Sequence, residues 1–325
     1  MKFLHPRLAR RLCALAFLAV PTFVLAQTPT YVVTPARLVN LAVRSTLAAN
    51  ESLITGFVIS GPTPATMLVR ASGPALTPLG VSGVMPNPRL QITDSTGRVV
   101  AENDDWAPQG SVQLEGLSVG AFPLPPSSRD AAITVTLDPG AYTLVISGST
   151  SSDAGVVVGE LYHLPRLEPE AAALARGDKP PSKIVNLSVR GRIGGSSGMI
   201  GGFVVGGSVT PVSGPESSPS KRFLIRVVGP ALAGFDVPGS LVDPTLELAR
   251  TDGTVIQTND NWDADATAAA AIREATSAAG AFPLPPGSRD AAVVVRLPEG
   301  AYTVTTRGAN GSTGAALIEI YELEN

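Results

Sequence analysis

The chain has 325 residues, with 24 Lys+Arg against 27 Asp+Glu for a formal charge of −3, 44% hydrophobic residues and a single cysteine. One cysteine excludes an intrachain disulfide and a thiolate metal cluster, so the fold has to be held by its core. The mildly acidic balance disfavours nucleic acid and anionic lipid as partners.

Residues 1–26, MKFLHPRLARRLCALAFLAVPTFVLA, open with Lys2, Arg7, Arg10 and Arg11, continue as an apolar run and end in small residues. That layout is a secretory signal peptide, and the run is too short and too Pro-broken to be a comfortable membrane span. The expected mature protein is therefore secreted, free of cysteine because Cys13 lies in the leader, and without a transmembrane segment. It keeps 20 Lys+Arg against 27 Asp+Glu, a balance of −7.

After a short N-terminal extension at 27–36, the sequence writes one unit twice, at 37–164 and 183–325. RLVNLAVR answers KIVNLSVR, LVRASGPAL answers LIRVVGPAL, and PRLQITDSTGRVVAENDDW answers PTLELARTDGTVIQTNDNW. AFPLPPSSRDAA (121–132) returns as AFPLPPGSRDAA (281–292). Between the copies, residues 165–182 carry Pro at both ends and read as a semi-rigid linker. Two insertions, at 207–222 and the Ala-rich 263–280, distinguish the second copy and are expected in loops.

Within each copy the hydrophobic period is two. Ile133, Val135 and Leu137 alternate with Thr134 and Thr136, as half-buried strands require. Eight runs per copy, LVNLAVR, ITGFVIS, TMLVRAS, RLQITDS, RVVAEN, AAITVTL, AYTLVIS and VVVGELY in the first, are bounded by Gly, Pro, Asn and Asp. The expected fold is all-β: two tandem antiparallel β-sandwich domains of jelly-roll-like type, each folding by itself. Arg70 and Arg226 fall inside apolar strands and call for a carboxylate partner in their own copy.

The order LQITDSTGRVVAENDDW, DAAITVTLDPGAYTLVISG, GVVVGELY resembles the bacterial pre-peptidase C-terminal domain, an accessory β-sandwich of secreted enzymes, and the second copy repeats it. The resemblance spans roughly the latter two thirds of each copy. It implies an exported accessory module; the domain's usual catalytic neighbour has no counterpart in this sequence.

Catalytic constellations are poorly supported. The mature chain has one histidine, His163, which aligns with Glu322, so a Ser-His-Asp set is open to at most one copy. The Asp104–Asp105 pair becomes Asp260–Asn261, which removes acid-base capacity from the second copy. The chain is therefore expected not to be an enzyme, but to act in adhesion, scaffolding or binding at or outside the cell surface, with an unidentified surface protein or polysaccharide as partner. The alternative is a polysaccharide-binding accessory protein using Tyr162 and Tyr321, which share a strand face with Glu160 and Glu319 and are expected to be partly exposed. One cofactor is conceivable: Asn103, Asp104, Asp105 and Asp130, with Asn259, Asp260, Asn261 and Asp290, offer only oxygen donors, the set Ca²⁺ prefers. The competing and preferred reading is a plain Asn/Asp turn, with Arg129 or Arg289 pairing the nearby carboxylates.

Overall fold

A computed structural model describes residues 33–107, 110–165, 174, 176–194, 198–209 and 220–324. The leader and residues 27–32 of the extension lie outside the described residues, as does most of the linker between 166 and 175. Among the described residues, no helix is long and apolar enough to cross a membrane.

The first copy contributes β1 (Val33–Leu47), β2 (Ser52–Ser60), β3 (Ala65–Ser72), β4 (Pro88–Asp94), β5 (Val99–Asn103), β6 (Ala131–Leu137), β7 (Gly140–Gly148) and β8 (Gly155–His163). The second contributes β9 (Lys183–Ile193), β10 (Met199–Val209), β11 (Ser220–Val228), β12 (Pro244–Arg250), β13 (Val255–Asn259), β14 (Ala291–Pro298), β15 (Gly300–Gly308) and β16 (Gly314–Glu322). The period-two runs thus become strands, and the fold is all-β and antiparallel. Two short helices, α1 (Val112–Ser118) and α2 (Ala266–Ala278), join them. Helix α2 occupies the Ala-rich insertion expected to be loop: Ala is the best helix former, Asp265 caps it by accepting from the Ala268 amide, and Ala269, Ile272 and Ala275 are buried.

Within the first copy, β6-β3-β8-β1 form one layer and β5-β4-β7-β2 the other, and β14-β11-β16-β9 and β13-β12-β15-β10 repeat the scheme. This is jelly-roll order. The layers face each other through their apolar sides: a Cβ on Gly159 of β8 would meet Ile146 of β7 and Leu53 of β2. Phe203 of β10 lies 6.1 Å from Phe223 of β11.

The two copies are not separate sheets. β1 pairs with β10 from Val33↔Val209 to Arg44↔Ile200, and β2 pairs with β9 from Ile54↔Arg190 to Ser60↔Lys183. Each layer therefore runs on into the other copy, one as β6-β3-β8-β1-β10-β15-β12-β13 and the other as β14-β11-β16-β9-β2-β7-β4-β5. A pairing of Leu38 with Ile184 links the layers, and one continuous core contains residues of both copies, among them Leu41, Phe57, Leu187 and Phe203. The boundaries at 164 and 183 are thus boundaries of the repeat, not of the sheets. The physical reason is edge satisfaction: β1 and β2 would each present a free row of amides and carbonyls if its copy stood alone, and the partner copy supplies the missing strand.

Candidate functional site

The repeated motifs meet on the outer face of each sandwich, where α1 or α2 and the AFPLPP segment cover the sheet. In the first copy Arg70, 2% exposed, points outward from β3 beneath this cover. Its Nη1 donates to the Phe122 carbonyl at 2.8 Å, and its guanidinium sits 4.3 Å from the Phe122 ring centroid. Its Nε lies 3.2 Å from Glu160 Oε2, within ion-pair range although not in hydrogen-bond geometry. Glu160, on the neighbouring β8, also accepts from the Tyr162 hydroxyl at 2.6 Å and the Ser72 hydroxyl at 3.3 Å.

The second copy rebuilds the cluster with better geometry. Arg226 Nε donates to Glu319 Oε2 at 2.8 Å, its Nη1 donates to the Phe282 carbonyl at 2.6 Å, and the Tyr321 hydroxyl donates to Glu319 Oε1 at 2.6 Å. The carboxylate partners expected for the two arginines are thus Glu160 and Glu319, each in its own copy. Burial pushes the Glu160 carboxyl upward, opposed by Arg70 and the two hydroxyl donors. Burial also raises the Tyr162 and Tyr321 phenols, reinforced by the adjacent carboxylates.

Of the two tyrosines expected to be partly exposed, Tyr162 is buried, at 6% exposed, and Tyr321 keeps part of its surface open. In each copy the phenol two residues from a buried carboxylate on the same strand face serves as its hydrogen-bond donor. Other paired aromatics are also spent internally. Phe57 stacks on Tyr142 at 5.3 Å and Phe203 on Tyr302 at 5.5 Å.

The acidic candidates are drawn to one corner but not toward one another. Asp130, fully buried, accepts from the Gly73 amide at 2.7 Å and the Ala75 amide at 3.1 Å. Asp290 accepts from the Gly229 and Ala231 amides at 2.8 and 3.3 Å and from the Ser288 hydroxyl at 2.6 Å. These carboxylates thus hold the Gly-Pro-Ala-Leu turns that follow β3 and β11. Asn103 and Asn259 accept from the Ala132 and Ala292 amides at 2.9 and 3.0 Å and donate to the carbonyls of Asp105 and Asn261. The Trp106 and Trp262 amides donate to the carbonyls of Asp130 and Asp290 at 2.8 Å each, and the indoles donate to Ser128 and Ser288.

Asp104, exposed, accepts from the Ser149 hydroxyl; Asp105 and Asp260 are exposed and Asn261 is half-buried. Among the described residues, no three His, Cys, Asp or Glu side chains gather as a metal set. Arg289 pairs at 2.7 Å with Asp243, ahead of β12, rather than with the Asn/Asp turn. His163 is held on β8 opposite Met67, and burial, with Arg37 nearby, lowers its pKa to about 4. Of the serines of the Pro-rich phrase, Ser128 accepts from the Trp106 indole and Ser127 is exposed.

A feature with no place in the sequence reading lies at the end of the seam. A cleft of about 760 Å³ is lined by Arg44, Glu51, Arg192, Met199, Ile200 and Arg307, among others. The signal available was faint: Arg44 and Arg190 occupy the same place in the repeated VNLxVR strand, but their convergence depends on how the copies pair.

No family model matches the chain, and no curated protein matches it. Among solved structures, the VP2 subviral particle of infectious bursal disease virus aligns over 91% of this chain and 73% of its own at 13% identity, with a TM-score of 0.14. The Gt strain of that virus aligns at 12% identity over 91% and 75%, with a TM-score of 0.12. Similarity at this level carries no argument about fold or function.

Proposed function

We propose that the chain is an exported, non-catalytic protein that acts in adhesion or scaffolding, with its two repeats presented as one double sandwich. The observation that carries this reading is the use made of the repeated polar residues. Arg70, Glu160, Asp130 and Asn103, like Arg226, Glu319, Asp290 and Asn259, are committed to internal partners that fasten turns and the Pro-rich cover to the sheet. A catalytic group needs an open path to substrate, and Arg70, Glu160, Asp130, Arg226, Glu319 and Asp290 are buried. The N-terminal leader pattern and the resemblance to pre-peptidase C-terminal domains support export and an accessory role.

The purified chain is expected to give background turnover on peptide, ester and glycoside panels and to be recovered outside the cytoplasm of its native source with residues 1–26 removed. Turnover that survives repurification and vanishes on one acidic substitution would overturn the non-catalytic part. An uncut chain confined to the cytosol would overturn the exported part.

A further inference from the structure

We propose that the cleft at the seam binds an anionic saccharide, a sugar chain bearing carboxylate or sulfate groups. This goes beyond the scaffold reading and does not depend on it. The cleft, about 760 Å³, forms where the C-terminal ends of β1 and β9 meet the start of β10, and Arg44, Arg192 and Arg307 line it. An adjoining hollow of about 150 Å³ shares Thr46, Leu47, Glu51 and Arg192 with it and adds Arg190. One of these arginines comes from the first copy and three from the second, so the site exists only because the copies pair edge to edge.

The four guanidiniums are set apart by gathering at one cleft without an ion-pair partner, whereas Arg89 pairs with Glu102, Arg98 with Asp94 and Arg289 with Asp243. Arg44, Arg190, Arg192 and Arg307 make no ion pair or side-chain hydrogen bond among the described residues. The sole carboxylate in either lining, Glu51, accepts from the Ala48 amide at 3.0 Å. A positive hollow in a chain of net charge −3 is a local inversion of the protein's field, which concentrates anions there.

The ligand class follows from what surrounds the charges. Guanidiniums recognise carboxylate and sulfate through paired N–H donors. Arginines on three strands, β1, β9 and β15, call for several anionic groups rather than one ion, and the volume is that of a ligand pocket. Ile200, 43% exposed, supplies apolar surface for the C–H face of a sugar ring, and the lining holds no aromatic ring on which a nucleobase would stack.

The test is calorimetric titration of the full chain with an oligogalacturonate, a neutral glucan of equal length and inorganic sulfate, at low and physiological salt. The wild type is expected to bind the oligogalacturonate, more weakly as salt rises, and to ignore the glucan. Arg44→Ser, Arg192→Ser and Arg307→Ser combined should raise Kd roughly tenfold or more, the scale of lost charge-assisted hydrogen bonds. Arg89→Ser, Arg98→Ser and Arg289→Ser combined remove the same charge elsewhere and should leave Kd nearly unchanged, with circular dichroism confirming that both variants fold. No wild-type binding, equal loss in the two triple variants, or equal affinity for the glucan would overturn the site. Full displacement by sulfate at matched anion concentration would reduce it to small-anion binding and overturn the saccharide assignment. Cleavage of the oligogalacturonate during titration would instead sink the non-catalytic reading and leave the site standing.

Discussion

Arg226 is fully buried, so removing its partner strands a charge where water cannot reach it. Glu319→Gln is expected to cost about 3–5 kcal/mol in urea unfolding, whereas Arg226→Met with Glu319→Leu should cost less because no charge remains. Equal losses would show that the stacked Phe282 contact, not the ion pair, dominates. His163 gives a pH signature. Its folded pKa of about 4 lies below the ordinary 6.5, so the unfolded chain binds the proton first. Stability present above about pH 6.5 is lost as the pH falls toward 4, by at most about 3 kcal/mol. In His163→Gln the slope of the denaturation midpoint across that window should flatten; an unchanged slope would assign it to other groups. Millimolar calcium is expected to leave the melting temperature unmoved, since Asp130 and Asp290 already accept from amides. A shift abolished by Asp130→Ala would restore the metal reading. At this scale the need for a buried partner to Arg70 and Arg226 was legible from their apolar flanks. Glu160 and Glu319 were not identifiable as those partners, because strand order decides which carboxylate lies alongside.

Strands β1 to β8 coincide closely with the period-two runs, because alternation reports directly which side of a strand is buried. Alternation does not report which strand sits at its edge, and so the pairing of β10 with β1 and of β9 with β2 could not be read. Glycine marks the seam instead: a Cβ on Gly206 of β10 would come within 2.9 Å of a Val39 methyl on β1. Val39 is β-branched and has little freedom to swing away. Gly206→Val is therefore expected to cost about 1–3 kcal/mol by overpacking, measured by denaturant titration. A neutral result would mean that the seam is looser than its register implies. Helix α2 escaped the repeat comparison because the first copy has only the seven-residue α1 at its place. Asp265→Ala, which removes the cap, should cost about 1 kcal/mol; no loss would mean that packing of Ile272 alone holds the helix.

At the scale of the whole molecule, two jelly rolls share both sheets and one core, so neither should unfold without exposing the paired edge of the other. The four outer edges left over are β5, β6, β13 and β14, and β5 and β13 are only five residues long, which limits further edge pairing. The Arg-lined cleft belongs to this scale too, since both copies build it. The chain offers a direct probe, having only two tryptophans, Trp106 in the first copy and Trp262 in the second, both buried. Trp106→Phe and Trp262→Phe each leave one reporter, and urea unfolding of the two variants can be followed by fluorescence and by far-ultraviolet circular dichroism. A shared seam predicts that in each variant the fluorescence and dichroism transitions coincide, whichever copy carries the tryptophan. A fluorescence transition displaced from the dichroism transition, earlier for one copy and later for the other, would show that the repeats unfold separately and would contradict the single double sandwich.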